Sequence, residues 1–408
     1  MHLQCVVVYL YTISRLAKMK ILVSCGTKFH SDHIGYQLQK RGILSKVITS
    51  HPSMAYKRVE LEKENIFFLP PIFIFSLLLR KILGKWYFFQ SQFDWLLAVV
   101  YDWMASLCIP TETDISISWA WASLRTMRAV KRNGGIAILE ECGSCNRHQD
   151  EILQEEYQKL NLEYVSSTFH KILSREIDEC NEADYILCPS RYVMESFGKY
   201  GIPKSKFILI PYGVDLSLFS RQEKLDDIFR ILFVGTIGVR KGLIYLFEAL
   251  KLLTIEFECL IIGRIEPAFE NIFKEHSSLF KHIGRVEHSQ IKHYYSNSSV
   301  FVFPSIDEGM AYVQLEAMAC GLPVICTPNS GGDSVIRDGE EGFIVPLRDP
   351  LAIKNRIEYL YHNPSELKKM SCNAETRSKQ FTWERYGDEL EMKLEQLVSE
   401  KSRNSYIS

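Results

Sequence analysis

Apolar residues along this chain fall in short β-rich runs separated by amphipathic segments, the alternation expected of a parallel α/β sheet. In the first half the runs are Ile21 to Cys25, Lys46 to Thr49, Ile115 to Ile117, Ile136 to Leu139 and Tyr185 to Cys188, with helical patterns through Ile34 to Arg41 and Leu124 to Lys131. Phe207 to Ile210 is a further strand, ended by Pro211-Tyr-Gly-Val-Asp215, and the charged stretch Arg221 to Asp227 reads as a surface linker. Beyond it, Ile231 to Val234, Cys259 to Ile262, Val300 to Phe303, Val324 to Cys326 and Gly342 to Val345 predict a second parallel sheet, with a helix over Leu243 to Leu252.

The pattern divides the 408 residues into an extension (1–18), a first Rossmann-like domain (19–210), a linker (211–228) and a second Rossmann-like domain (229–380). Two such halves facing each other leave a cleft, and open α/β sheets bind ligands outside their strands' carboxyl ends. The extension is set apart because Met19-Lys-Ile-Leu-Val-Ser opens a strand in the manner of a chain start. Its apolar run, Cys5 to Ile13, is too short to span a bilayer and has neither a basic region before it nor an A-x-A-like cleavage site.

Residues 70 to 110 are unusually aromatic and aliphatic, with Trp86-Tyr87-Phe88-Phe89 and Trp95 to Val100. Two readings compete: a pair of buried core helices, which is favoured because apolar side chains are usually inside, or an apolar lip with Arg80, Lys81 and Lys85 that touches a membrane or an amphiphilic acceptor.

Composition narrows the classes. Hydrophobic residues at 47% and charged residues at 24% describe an ordinary globular chain. Lys plus Arg (48) nearly cancels Asp plus Glu (49), so no overall field favours nucleic acid. Eleven scattered cysteines do not form a secreted disulfide framework and point to a reducing, cytoplasmic setting. Cys142-Gly-Ser-Cys145 with His148 would offer three metal ligands or a redox pair, a weak signal without a fourth ligand.

The richest segment is Phe303-Pro-Ser-Ile-Asp-Glu308-Gly-Met-Ala-Tyr-Val-Gln-Leu-Glu316, closed by Gly321-Leu-Pro323. It predicts a strand, a small-residue turn and a helix from about Met310 to Ala319. The free N–H groups and positive dipole end of that helix place Gly309, Met310 and Ala311 to bind phosphate oxygens. On a continuous helix the two glutamates would stand up to ~12 Å apart with roughly 80° of rotation, too far for a glycosidase carboxylate pair. The spacing suits an extended nucleotide-sugar with hydroxyl groups at both ends and a diphosphate between. The alternative is that Glu308 caps its own helix and Glu316 is a solvated face residue.

A second element, Phe233-Val-Gly235-Thr-Ile-Gly238-Val-Arg240-Lys241-Gly242, is a strand and glycine loop delivering two adjacent cations into a helix. It reads as a phosphate clamp rather than a Walker A loop, against the plainer reading of a surface turn. A third, Ser24-Cys-Gly26-Thr-Lys-Phe-His-Ser, is a glycine turn after the first strand that lets a ligand approach the backbone.

Together these segments resemble the retaining glycosyltransferases of family 4, the glycosyl transferases group 1, which have the GT-B architecture. The glutamate segment fits the family's E-x7-E motif, Gly331-Gly332 and Asp338-Gly339-Glu-Glu-Gly342 fit its later turns, and Trp383-Glu-Arg-Tyr resembles the start of a final helix (381–408) that crosses back to the first domain. The resemblance implies that Arg240 and Lys241 bind the donor diphosphate, Glu308 the donor sugar hydroxyls and Glu316 the ribose, with Gly26 beside the transferred sugar. It also implies a hexose moved with retained anomeric configuration from a nucleotide-diphosphate sugar to an alcohol acceptor, in surface polysaccharide, lipopolysaccharide or glycolipid synthesis. No cofactor or metal is implied, and the enzyme would work in the cytoplasm or at the inner face of the membrane. In one subtype a histidine soon after Gly-Ser meets the donor sugar; here Asn146 stands in that place and His148 follows, so His148 is a catalytic candidate beside Glu308. The competing functions are an epimerase of the same architecture and a nucleotide-sugar-binding module without turnover.

Overall fold

A computed structural model describes residues 19–75, 90–166 and 168–407. The extension 1–18 and the stretch 76–89, with Arg80, Lys81, Lys85 and the Trp86–Phe89 run, lie outside the described residues.

Two parallel sheets form the molecule. The first contains β1 (Ile21–Cys25), β2 (Leu44–Thr49), β3 (Ile66–Phe68), β4 (Ile115–Trp119), β5 (Ile136–Glu140), β6 (Tyr185–Cys188) and β7 (Phe207–Leu209) in the order β3-β2-β1-β4-β5-β6-β7. The second contains β8 (Arg230–Val234), β9 (Glu258–Ile262), β10 (Lys281–Gly284), β11 (Val300–Phe303), β12 (Val324–Cys326) and β13 (Gly342–Ile344) in the order β10-β9-β8-β11-β12-β13. Both orders reverse direction beside their first strand, which opens a crevice at the carboxyl edge of each sheet.

The expected strands recur within one or two residues of their limits because each is an apolar run buried on both faces, as β1, β4, β5 and β8 are throughout. The two strands without a sequence signal, β3 and β10, are short edges with mixed exposure. Arg230 opens β8 and, though buried, is neutralised by Asp226 of the linker at 2.9 Å and by Glu258.

Helix Trp383–Ile407 lies against helix Ser31–Lys40 of the first lobe. Lys40 Nζ meets Glu384 at 2.9 Å, Arg41 Nε meets Glu391 at 3.2 Å, and Lys401 Nζ donates to the Gly134 and Gly135 carbonyls at 2.8 and 2.9 Å. The chain therefore crosses between lobes twice, and the crossings are bridged where Val214 pairs with Thr382.

The described parts of the 70–110 region, residues 70–75 and 90–110, are only half buried. Helix Gln90–Ser106 sends Tyr101, Asp102 and Ala105 into the core, but Trp103 and Leu107 stay exposed, as do Ile74 and Phe75. A helix lying on one flank of a sheet has one face to bury, so full core burial does not occur among the described residues.

Candidate active site

The carboxyl edges of the two sheets enclose a cleft of about 610 Å³. The second lobe lines it with Gly235, Thr236, Arg240, Lys241, His288, Glu308, Met310, Ala311 and Glu316, the first with Lys28, Phe29, His30, Asp32, His33 and Cys142. Tyr212 and Trp383, from the two crossings, lie between them.

The clamp is local in origin. After β8 the chain turns through Gly242 at φ +65°, where a side chain would overlap the Pro304 carbonyl, and this packing carries Arg240 and Lys241 alongside the glutamate segment. The Arg240 carbonyl accepts from Ile306 N–H at 2.9 Å, while Arg240 Nη1 donates to the Asp307 carbonyl at 3.0 Å and to Glu308 Oε2 at 3.1 Å. Lys241 also pairs with Glu308. Burial, with the Arg240 guanidinium beside it, draws the Lys241 ammonium well below its ordinary range, so this cation depends on an adjacent anion.

Glu308 sits in the turn and not on the helix, which begins at Tyr312 and not at Met310. The reason is long-range. The Gly309 carbonyl accepts from Ser190 Oγ of the first lobe at 2.6 Å, and Ala311 N–H donates to the Ser330 carbonyl at 3.4 Å, keeping Gly309 to Ala311 out of the helix, with Ala311 extended. The helical ruler between the glutamates therefore does not apply, although both line one cavity. Glu316 is held by His288 Nε2 at 2.8 Å and by the Tyr295 hydroxyl at 3.1 Å.

Asp307, buried next to Glu308, has no obvious sequence signal and fastens the lobes together. It accepts from Tyr192 Oη at 2.7 Å and from Ser144 and Gln149, all of the first lobe. Glu156 of the same lobe accepts from Arg348 Nε at 2.6 Å and from Tyr245, both across the cleft.

Three predicted residues do not reach the cavity wall. Gly309 packs under it, against the Cys142 carbonyl. Gly26 follows β1 and lies against the Tyr101 ring, its carbonyl accepting from Ser50, and Lys28 to His30 of its loop line the cleft instead. His148 lies behind the Asp307 contacts, 3.2 Å from Lys199 Nζ and with its ring tilted against that of Tyr192, with burial and Lys199 lowering its pKa. Asn146 is turned to Glu176. The suspected Cys142, Cys145 and His148 set is likewise split, since Cys145 packs on Glu176 while Cys142 faces the cleft, and the cysteines of the described residues are free thiols.

Residues 217–377 match the family model described as glycosyl transferases group 1, which covers the clamp, both glutamates and their turns. Over that stretch the chain is similar to the glycosyl transferases group 1. Among curated relatives it is 34% identical over 173 residues to the capsular polysaccharide biosynthesis glycosyltransferase CapM of Staphylococcus aureus, covering 39% of this chain and 45% of that one. It is 29% identical over 204 residues to an uncharacterized glycosyltransferase of Methanocaldococcus jannaschii, covering 50% and 57%. The chain thus spans about half the length of the curated relatives it matches. In fold, the chain resembles the sucrose-phosphate synthase of Thermosynechococcus elongatus (TM-score 0.69, 18% identity, 93% of this chain and 99% of that one). It also resembles HepE of Anabaena, solved in complex with UDP (TM-score 0.65, 15% identity, 92% and 99%). Those whole-chain likenesses establish two facing Rossmann-like lobes, with the crossing helix present in this structure. No helix among the described residues is long and apolar enough to cross a membrane.

Proposed function

We propose that the cleft binds a nucleotide-diphosphate sugar and transfers its hexose, with retained anomeric configuration, to an alcohol acceptor. The observation that carries this reading is the convergence of Arg240, Lys241, Glu308 and Glu316 on one cavity between two lobes. Arg240 and Lys241 take the diphosphate, the start of helix Tyr312–Ala319 adds its N–H groups, and Glu316, already fixed by His288 and Tyr295, takes the ribose hydroxyls.

In this structure Glu308 is the anion that both cations hold. A diphosphate replaces it as their partner and releases the carboxylate toward the sugar hydroxyls. Held by the sugar hydroxyls, that carboxylate serves as a hydrogen-bond acceptor, and same-face attack in which a leaving diphosphate oxygen takes the acceptor proton needs no protein nucleophile. Catalysis then rests on positioning and on stabilising the departing charge. The chain's own two cations supply that stabilisation.

The name of the S. aureus relative concerns capsular polysaccharide biosynthesis, which supports a glycan or lipid-linked acceptor. The exposed Ile74, Phe75, Trp103 and Leu107 support peripheral contact with the inner membrane face.

The test is transfer or hydrolysis across a panel of nucleotide-diphosphate sugars, with the product anomer read by NMR. Glu308→Ala is expected to lower turnover on the order of 10²-fold or more while donor binding survives. Inversion of the anomer overturns the retaining route, and full turnover by Glu308→Ala overturns the site.

A further inference from the structure

The first-lobe wall of the cleft carries a cluster that the transfer chemistry leaves unused. His30 stands at the start of helix Ser31–Lys40, Glu140 is the last residue of β5, and Cys142 follows it on the turn. One ligand atom from each of the three lies within 4.8 Å of the others. His30 and Cys142 line the cavity, and Glu140 is buried behind them.

Glu140 is the informative member. Its Oε1 lies 2.9 Å from His30 Nε2 and 3.5 Å from the Tyr212 hydroxyl, while Oε2 is buried with no hydrogen-bond partner among the described residues. Buried polar atoms are normally satisfied, and an orphaned carboxylate oxygen beside a thiol and an imidazole asks for a cation.

We propose that His30, Glu140 and Cys142 bind a divalent, borderline-soft cation of the zinc class, with a fourth coordination position open to the cleft. An imidazole, a carboxylate and a thiolate suit zinc, whereas magnesium and calcium take oxygen ligands. Two anionic ligands and one neutral ligand cancel the ion's charge, so the filled site is neutral in a buried setting. Binding releases the Cys142 thiol proton and any proton shared by His30 and Glu140. Zinc bonds of about 2.0–2.3 Å in tetrahedral array put ligand atoms roughly 3.3–3.8 Å apart, so side-chain rotations suffice to close the cluster. The Trp119, Tyr212 and Trp383 rings, centred 5.3, 4.4 and 6.1 Å from the His30 ring, fix the imidazole. The site departs from the metal-free expectation without touching the diphosphate clamp. If the proposed transfer is right, the open position faces acceptor oxygens.

The experiment strips the purified full chain with a chelator, reloads it with zinc or cobalt(II) and measures retained metal after desalting. Wild type is expected to keep about one equivalent. Its cobalt form should show a near-ultraviolet thiolate-to-metal band. Cys142→Ser should lose the band and weaken retention by about tenfold or more. Cys145→Ser and His148→Ala should change neither. Substoichiometric metal in wild type, a cobalt spectrum without the thiolate band, or retention unaffected by Cys142→Ser overturns the proposal. No donor or acceptor is present, so failure here leaves the transfer reading standing, and failure of transfer leaves the metal result standing.

Discussion

In the second lobe the carboxyl edge of the sheet carries Arg240, Lys241, Glu308 and Glu316 on turns that neighbouring backbone fixes, whereas the matching edge of the first lobe presents His30, His33 and Cys142 beside aromatic rings. The strand orders are the same apart from the additional edge strand β7 of the first sheet. One topology therefore supports two chemistries: two adjacent cations and two glutamates on one side, and on the other rings, imidazoles and a thiol beside the internally paired Lys28 and Asp32. The family match falls on the charged side alone, over residues 217–377. Phosphate recognition needs a specific backbone turn and specific cations, which restricts sequence, while the wall proposed to face the acceptor carries no such requirement.

The comparison makes the fit between lobes the most sensitive feature. A side chain at Gly309 would overlap the Cys142 carbonyl, so Gly309→Ala forces the edges apart. It is expected to reduce transfer by roughly 10²-fold while leaving the donor clamp's own residues untouched, since a displacement of about 1 Å is enough for such a loss. Turnover within about twofold of wild type would show that the two edges need not register.

A smaller effect separates the cations. Because burial lowers the Lys241 pKa, the charged form is lost as pH rises through a value beneath the usual lysine range. Donor affinity should then fall with rising pH earlier than an exposed lysine would allow, and Lys241→Arg should abolish that alkaline limb in a titration series. An identical limb in the variant would assign it elsewhere.

The smallest effect concerns Glu316. Removing its 2.8 Å partner in His288→Ala costs one hydrogen bond, about 0.5–1.5 kcal/mol, or a rise in donor KM of roughly two- to tenfold with kcat unchanged. A change in kcat alone would place His288 in the chemical step.

Much of this was legible because it is local. Buried strands announce themselves as apolar runs, and the Gly238 to Gly242 turn delivers its cations within a few residues of β8. Long-range partners decided the rest. Helix Tyr312–Ala319 starts late because Ser190 and Ser330 hold the preceding backbone, and neither lies nearby in sequence. Helix Asn146–Lys159 does begin at the Gly-Ser turn, yet tertiary packing turns His148 toward Lys199 and Tyr192. Asp307 was hidden by its neighbour Glu308, its role set by three donors on the other lobe. The orphaned oxygen of Glu140 is visible only once β5 is in place.

The central claim is that a diphosphate is gripped by the adjacent cations at the cleft. Calorimetric titration of a panel of nucleoside diphosphates into wild type and into the Arg240→Ala, Lys241→Ala double variant tests it most directly. The account predicts that at least one diphosphate binds wild type and loses about 100-fold or more in affinity in the double variant, each charged contact contributing roughly 1.5–3 kcal/mol. A diphosphate bound equally well by both proteins would contradict it.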